Sequence, residues 1–194
     1  MRRPFMDTPE QLASLDGQQY LVLRPTAAVA QLYEVEQDAA LRHVRVPHPH
    51  TGHVTLRGFF EPERREQLRD LIRSWAGRQP PIDVAVDAVD VFPSPWQIVI
   101  LRLARRASLI DAYSSLTAAL DRTDVRRLGE LSLDEWTFHL SIVYGTDLAP
   151  DRWAALARAS VRDLPVRPSE TISEAELVWY EGGIEHAEVF PLGG

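Results

Sequence analysis

Two short motifs carry the residues best suited to chemistry: His53-Val54-Thr55-Leu56 and His139-Leu140-Ser141-Ile142. Each places an imidazole two positions before a hydroxyl. In an extended strand successive side chains point to opposite faces, so each histidine shares a face with its hydroxyl, while Val54/Leu56 and Phe138/Leu140/Ile142 turn toward a core. Two such strands lying side by side about a pseudo-two-fold axis form a cleft with two facing imidazoles and two adjacent hydroxyls. That set suits a phosphodiester. A neutral imidazole takes a proton from attacking water, an imidazolium gives one to the leaving oxygen, and the hydroxyls donate to the non-bridging oxygens. Each assisted proton transfer is worth about 10²–10⁴-fold, and the scheme needs no metal and no covalent intermediate. Strict alternation also places Arg57 on the face of His53 and Thr55, where a guanidinium binds phosphate; the other reading is a solvated strand-end arginine. Arg24 is a weaker instance of the same idea.

The composition narrows the alternatives. The chain has 194 residues, no cysteine, and 21 basic residues that are all arginine. Thiol nucleophiles, disulfides and thiolate metal sites are excluded, as are Schiff bases, lysyl–nucleotide intermediates and a phosphate-binding Walker lysine. Histidines and carboxylates remain for proton chemistry near neutral pH. The net charge of −7 is concentrated in the last 32 residues, where seven acids face one base, Arg167. The near-neutral remainder is compatible with a small phosphate-bearing ligand in a local arginine pocket, and the acidic end speaks against a long nucleic-acid duplex and against self-association through that surface.

The periodicity supplies elements to hold the motifs. Strands are expected at 19–24, 53–60, 82–91, 97–103 and 136–144, and a final hairpin at 175–180 and 185–190. Helices are expected at 27–43, from Glu61-Pro62-Glu63 to Gly77, at 109–120 and at 150–161. The order helix, strand, helix, hairpin occurs twice, without a Pro/Gly/Ser-rich linker between the copies. The expectation is a leader at 1–16 and one α+β domain at 17–194, with lobes of roughly 17–103 and 104–194.

With its element order, the chain from about Gln19 to Phe190 resembles the 2H phosphoesterase superfamily, whose signature is a pair of His-x-Thr/Ser motifs. That superfamily includes bacterial RNA 2′,3′-cyclic phosphodiesterases, historically called 2′-5′ RNA ligases. The resemblance implies a bilobal, pseudo-two-fold 2H phosphoesterase fold, with antiparallel sheets flanked by helices around a central cleft. It also implies metal-independent hydrolysis of 2′,3′-cyclic phosphates or 2′-5′ bonds. His53 and His139 would be acid and base, in an order left open, and Thr55 and Ser141 phosphate ligands. Val91-Phe92-Pro93-Ser94-Pro95-Trp96 resembles the family's Phe-containing loop beside the cleft, so Phe92 or Trp96 would stack on a base. The second reading is a non-catalytic module binding a nucleotide or RNA end in the same cleft.

Other residues have plainer readings. Arg102, Arg105, Arg106, Arg122, Arg126 and Arg127 could guide an RNA chain but read first as solvated charges. His43, His48 and His50 with His53 match no metal spacing, and no metal or cofactor is expected. His186 reads as structural; Trp75, Trp136 and Trp153 read as core. No apolar run spans a bilayer, and a cytoplasmic, membrane-free monomer acting on a small nucleotide or RNA end is expected.

Overall fold

The chain begins with a feature the periodicity did not predict. In the computed structural model, which describes residues 3–6, 8–45 and 51–193, a short helix α1 (Pro9–Ser14) occupies the expected leader. Its signals are local: proline in the first turn, and the Thr8 hydroxyl accepting from Gln11 N at 3.3 Å. There follow β1 (Gln19–Leu23), α2 (Ala28–Leu41), β2 (Val54–Phe59), α3 (Arg65–Ala76), β3 (Ile82–Phe92), β4 (Ile98–Leu103) and α4 (Ala107–Leu120). Then come β5 (Arg127–Leu128), β6 (His139–Tyr144), α5 (Pro150–Ser160), β7 (Arg162–Asp163), β8 (Ser169–Ile172), β9 (Glu174–Glu181) and β10 (Ile184–Pro191).

These strands make two antiparallel sheets. One has the order β10-β9-β1-β2-β5; the other is β6-β4-β3-β7, with β8 also on β3. The α+β architecture agrees with the expected fold class, but the sheets do not divide the chain near residue 103. β1 pairs with β2 on one side, and its other edge is taken by β9 of the C-terminal hairpin; β3 and β4 join β6, β7 and β8 instead. Sequence order therefore misassigned the lobes, because an open strand edge is satisfied by whichever segment returns to it.

Two helix and strand starts also moved. The acids at Glu61 and Glu63 do not begin α3: the Glu61 carboxylate accepts from Arg64 at 2.8 and 2.6 Å and from Arg126 N at 2.6 Å. β6 begins at His139, three residues later than expected.

The main core lies on one face of β1 and β2 (Leu21, Leu23, Val54, Leu56), beneath α3 (Leu68, Ile72, Trp75) and α4 (Leu109, Leu116, Leu120). The other face of the first sheet is covered by the N-terminal segment, where Phe5 packs with Val22, Val178 and Tyr180, flanked by Leu12 and Leu15.

The acidic C-terminal strands are tied to this body. Glu176 meets Arg24, Glu181 meets Arg65, and Glu188 meets both Arg69 and Arg73. Glu170 caps α2, accepting from Thr26 N at 2.6 Å and Val29 N at 2.9 Å. Three of the seven acids thus pair with arginines of the first half, and Glu170 serves backbone N–H groups instead.

Candidate active site

β2 and β6 run alongside each other where the two sheets meet. His53 immediately precedes β2 and His139 begins β6. Each imidazole is anchored in the same way: His53 Nδ1 lies 3.0 Å from Thr51 O, and His139 Nδ1 lies 2.8 Å from Thr137 O. A carbonyl can only accept, so in both neutral rings Nδ1 carries the hydrogen and Nε2 holds the free lone pair. Both motifs therefore extend to Thr-x-His-x-Thr/Ser, a repeat visible in the sequence at Thr51 and Thr137.

Burial lowers the pKa of both imidazoles. His53 is pushed down to about 4, first by burial and further by the positive charges of His139 and Arg24; the Thr51 carbonyl and Glu185 oppose that fall. His139 is also lowered by burial, against the opposing effect of Thr137. An aromatic ring lies against each: Phe92 is edge-on to His139 at 4.8 Å between centroids, and Phe5 is tilted against His53 at 4.3 Å.

The two hydroxyls differ in their partners. Thr55 is partly exposed and, among the described residues, its hydroxyl has no protein hydrogen-bond partner. Ser141 is hydrogen-bonded to the Tyr144 side chain. Tyr144 is a site residue that sequence reading missed, because position 144 should face away from position 141 in a regular strand. A bulge supplies the reason. On β6, Val143 and Ser141 stand opposite the consecutive residues Val99 and Ile100, so Ile142 is an extra residue, and Tyr144 returns to the face of Ser141.

β2 bulges at the equivalent place. Thr55 and Arg57 stand opposite the consecutive Val22 and Leu21, which leaves Leu56 as the extra residue. This corrects the expectation for Arg57. Cross-strand partners share a face, and Leu21 belongs to the main core, so Arg57 turns into that core and away from Thr55. It is fully buried, with its guanidinium 4.2 Å over the Tyr113 ring and Nη2 donating to Thr117 Oγ1 at 2.6 Å; Glu130 stands 3.6 Å from Nη1.

The other candidates separate cleanly. Arg24 follows directly on β1, and its Nε donates to Glu176 Oε1 at 2.6 Å. Arg102 stands opposite His139 and is held by Asp87, at 3.0 Å, and Asp90. Phe92 reaches the site, whereas Trp96 is 61 % exposed on the β3–β4 turn. Arg105 binds the carbonyls of Trp136 and Leu133, and Arg127 binds Asp121 and Glu130. His186 stacks on Trp179, and Trp75 and Trp153 are buried in the core. Among the described residues no group of three or more His, Asp and Glu could hold a metal ion; His48 and His50 lie outside them.

One further link runs through α2. Gln37 on α2 donates to Tyr33 Oη at 2.8 Å and to Ile142 O of β6 at 2.9 Å, while the Tyr33 ring packs against Gly52, the residue before His53. A single helix thereby braces both histidine strands.

Comparisons with known proteins agree with this architecture. A family model described as the 2′-5′ RNA ligase superfamily matches residues 24–184. The protein TT0787 of Thermus thermophilus superposes with a TM-score of 0.68 at 17 % identity, over 91 % of this chain and 98 % of that one. E. coli LigT complexed with 3′-AMP gives 0.56 at 16 % identity, over 92 % and 99 %. Kluyveromyces marxianus Usb1 gives 0.55 at 12 % identity, over 92 % and 100 %. No curated protein matches the sequence.

Proposed function

The chain belongs to the 2′-5′ RNA ligase superfamily, within the 2H phosphoesterases, and on that footing we propose that it is a metal-independent phosphodiesterase opening 2′,3′-cyclic phosphates on RNA ends or nucleotides. The observation that carries this reading is the matched anchoring of His53 and His139, which leaves each Nε2 available for proton transfer. His53 takes the part of the base: Arg24 and His139 disfavour its imidazolium, and its pKa of about 4 keeps it neutral. It removes a proton from water as the water attacks phosphorus. His139, as imidazolium, protonates the departing ribose oxygen, and Thr55 and Ser141 donate to the non-bridging oxygens. Phe92, and Trp96 from the exposed turn, are the proposed platforms for a base.

The class of substrate follows by analogy. E. coli LigT has been crystallised with phosphate, 3′-AMP, ATP and NADP+. On that analogy this cleft takes a small nucleotide or an RNA terminus; 2′-5′-linked bonds are the related substrate to be tested beside it. Among the described residues no helix is long and apolar enough to cross a membrane. We place the activity in the cytoplasm, with the monomer as the working unit.

A panel of 2′,3′-cyclic nucleotides and 2′-5′-linked dinucleotides, each followed for product and for thermal shift, tests the proposal. The expected result is turnover that persists in EDTA and falls by about 10²–10⁴-fold in His53→Ala and in His139→Ala. Thermal stabilisation without product would instead support a binding module, and near-wild-type rates in either histidine variant would overturn the assignment.

A further inference from the structure

Residues before position 24 lie outside the family match, yet one of them sits against the proposed base. Phe5 is 2 % exposed, its ring centroid lies 4.3 Å from that of His53, and Arg24 stacks on the ring with Cζ at 4.0 Å. The segment is pinned at several points. Phe5 N donates to the Glu185 carboxylate at 2.9 and 3.0 Å, Met6 N does so at 2.8 Å, and Tyr180 Oη donates to Glu185 at 3.3 Å. Most telling is Thr51. Its hydroxyl donates to Pro4 O at 3.1 Å, and its own carbonyl accepts from His53 Nδ1. The segment thus touches His53 directly through a ring and indirectly through the residue that fixes the tautomer.

We propose that Pro4–Met6 forms a strap that completes the cleft, and that Phe5 is a positioning residue for His53. Each ring lies against one of the two imidazoles, but the rings have different origins: Phe92 belongs to β3, whereas Phe5 comes from the N-terminal segment. The strap holds the imidazole plane and keeps water from one of its faces. The charged groups around His53 are Arg24 at the end of β1, His139 on β6 and Glu185 on β10, of which only Glu185 favours the imidazolium. Removing the ring admits water, which restores solvation of the charged form and raises the pKa. The catalytic part of this inference rests on the proposed phosphodiesterase reading; the placement of the ring against His53 does not.

The test follows the imidazole and the reaction separately. Histidine ring signals are titrated by NMR in wild type, Phe5→Ala, Phe5→Leu and Phe5→Trp, with His53→Asn assigning the His53 signal. In Phe5→Ala the titration is expected to move from about 4 toward the ordinary 6.5, with Phe5→Leu between and Phe5→Trp near wild type. The acid limb of kcat/KM should move upward in the same order. If Phe5→Ala does not fold, Phe5→Leu against Phe5→Trp carries the comparison. An upward-moving titration in a protein that turns over no cyclic phosphate would uphold the strap and remove the reaction. Active variants whose titrations and acid limbs overlay wild type would overturn the strap and leave the reaction standing.

Discussion

The value of kcat/KM for a 2′,3′-cyclic nucleotide should trace a bell displaced to the acid side of neutrality. With His53 as base, activity rises as that ring loses its proton near pH 4 and falls as His139 loses its own somewhere below 6.5. The decline can be bounded from the structure. A group with a pKa no higher than 6.5 is protonated in at most about a quarter of molecules at pH 7 and about 3 % at pH 8, so activity at pH 8 should be at least about 25-fold below its maximum. That ratio is about 2 kcal/mol of barrier. Initial rates between pH 4 and 9 at constant ionic strength, with circular dichroism at each pH to show that the fold persists, give the profile. A flat profile from pH 6 to 9, or a maximum at pH 8 or above, would refute the assignment of His139 as an imidazolium acid kept below its ordinary pKa by burial.

Arg57 and Gly52 give two further tests. Arg57→Met should keep kcat within about threefold of wild type, because a flexible apolar side chain fills the buried site without an unpaired charge, whereas Arg57→Ala should cost about 2–4 kcal/mol in denaturant unfolding. A hundredfold loss of kcat in the stable Met variant would return Arg57 to the phosphate site. Gly52→Ala would bring a Cβ to 2.8 Å from Cγ of the buried Tyr33. It should lower stability by about 1–3 kcal/mol and reduce kcat more than KM rises, since His53 follows directly; unchanged melting and rates would show that α2 yields without moving the histidine.

The strands and helices were legible where apolar periodicity was long, as in α4 and β3, and both histidines were legible because their motifs repeat. Shorter pieces were not. β5, β7 and β8 contain two to four residues each and exist because a neighbouring strand offers an edge, which no local pattern records. Arg57 was misread and Tyr144 missed for one shared reason: a bulge adds a residue and reverses the alternation beyond it; Gly58, an isolated glycine inside β2, was the local sign of the first bulge, and β6 carries no such sign of the second. Phe5 was passed over as part of a polar leader. Its placement depends on Glu185, 180 positions away, accepting from its backbone N–H.

The two bulges also bear on how sequences in this family are aligned. At Leu56 and at Ile142 a single backbone residue decides which face of its strand each later side chain takes: with the extra residue, Arg57 and Val143 enter the core and positions 58 and 144 take the opposite face. A chain one residue shorter at either point would restore simple alternation and exchange those pairs. A one-residue gap after a His-x-Thr/Ser motif would therefore change the chemistry of the pocket while leaving every amino acid in the motif intact, so a relative cannot be assigned a cleft arginine by identity at an aligned column. The strand register has to be known first.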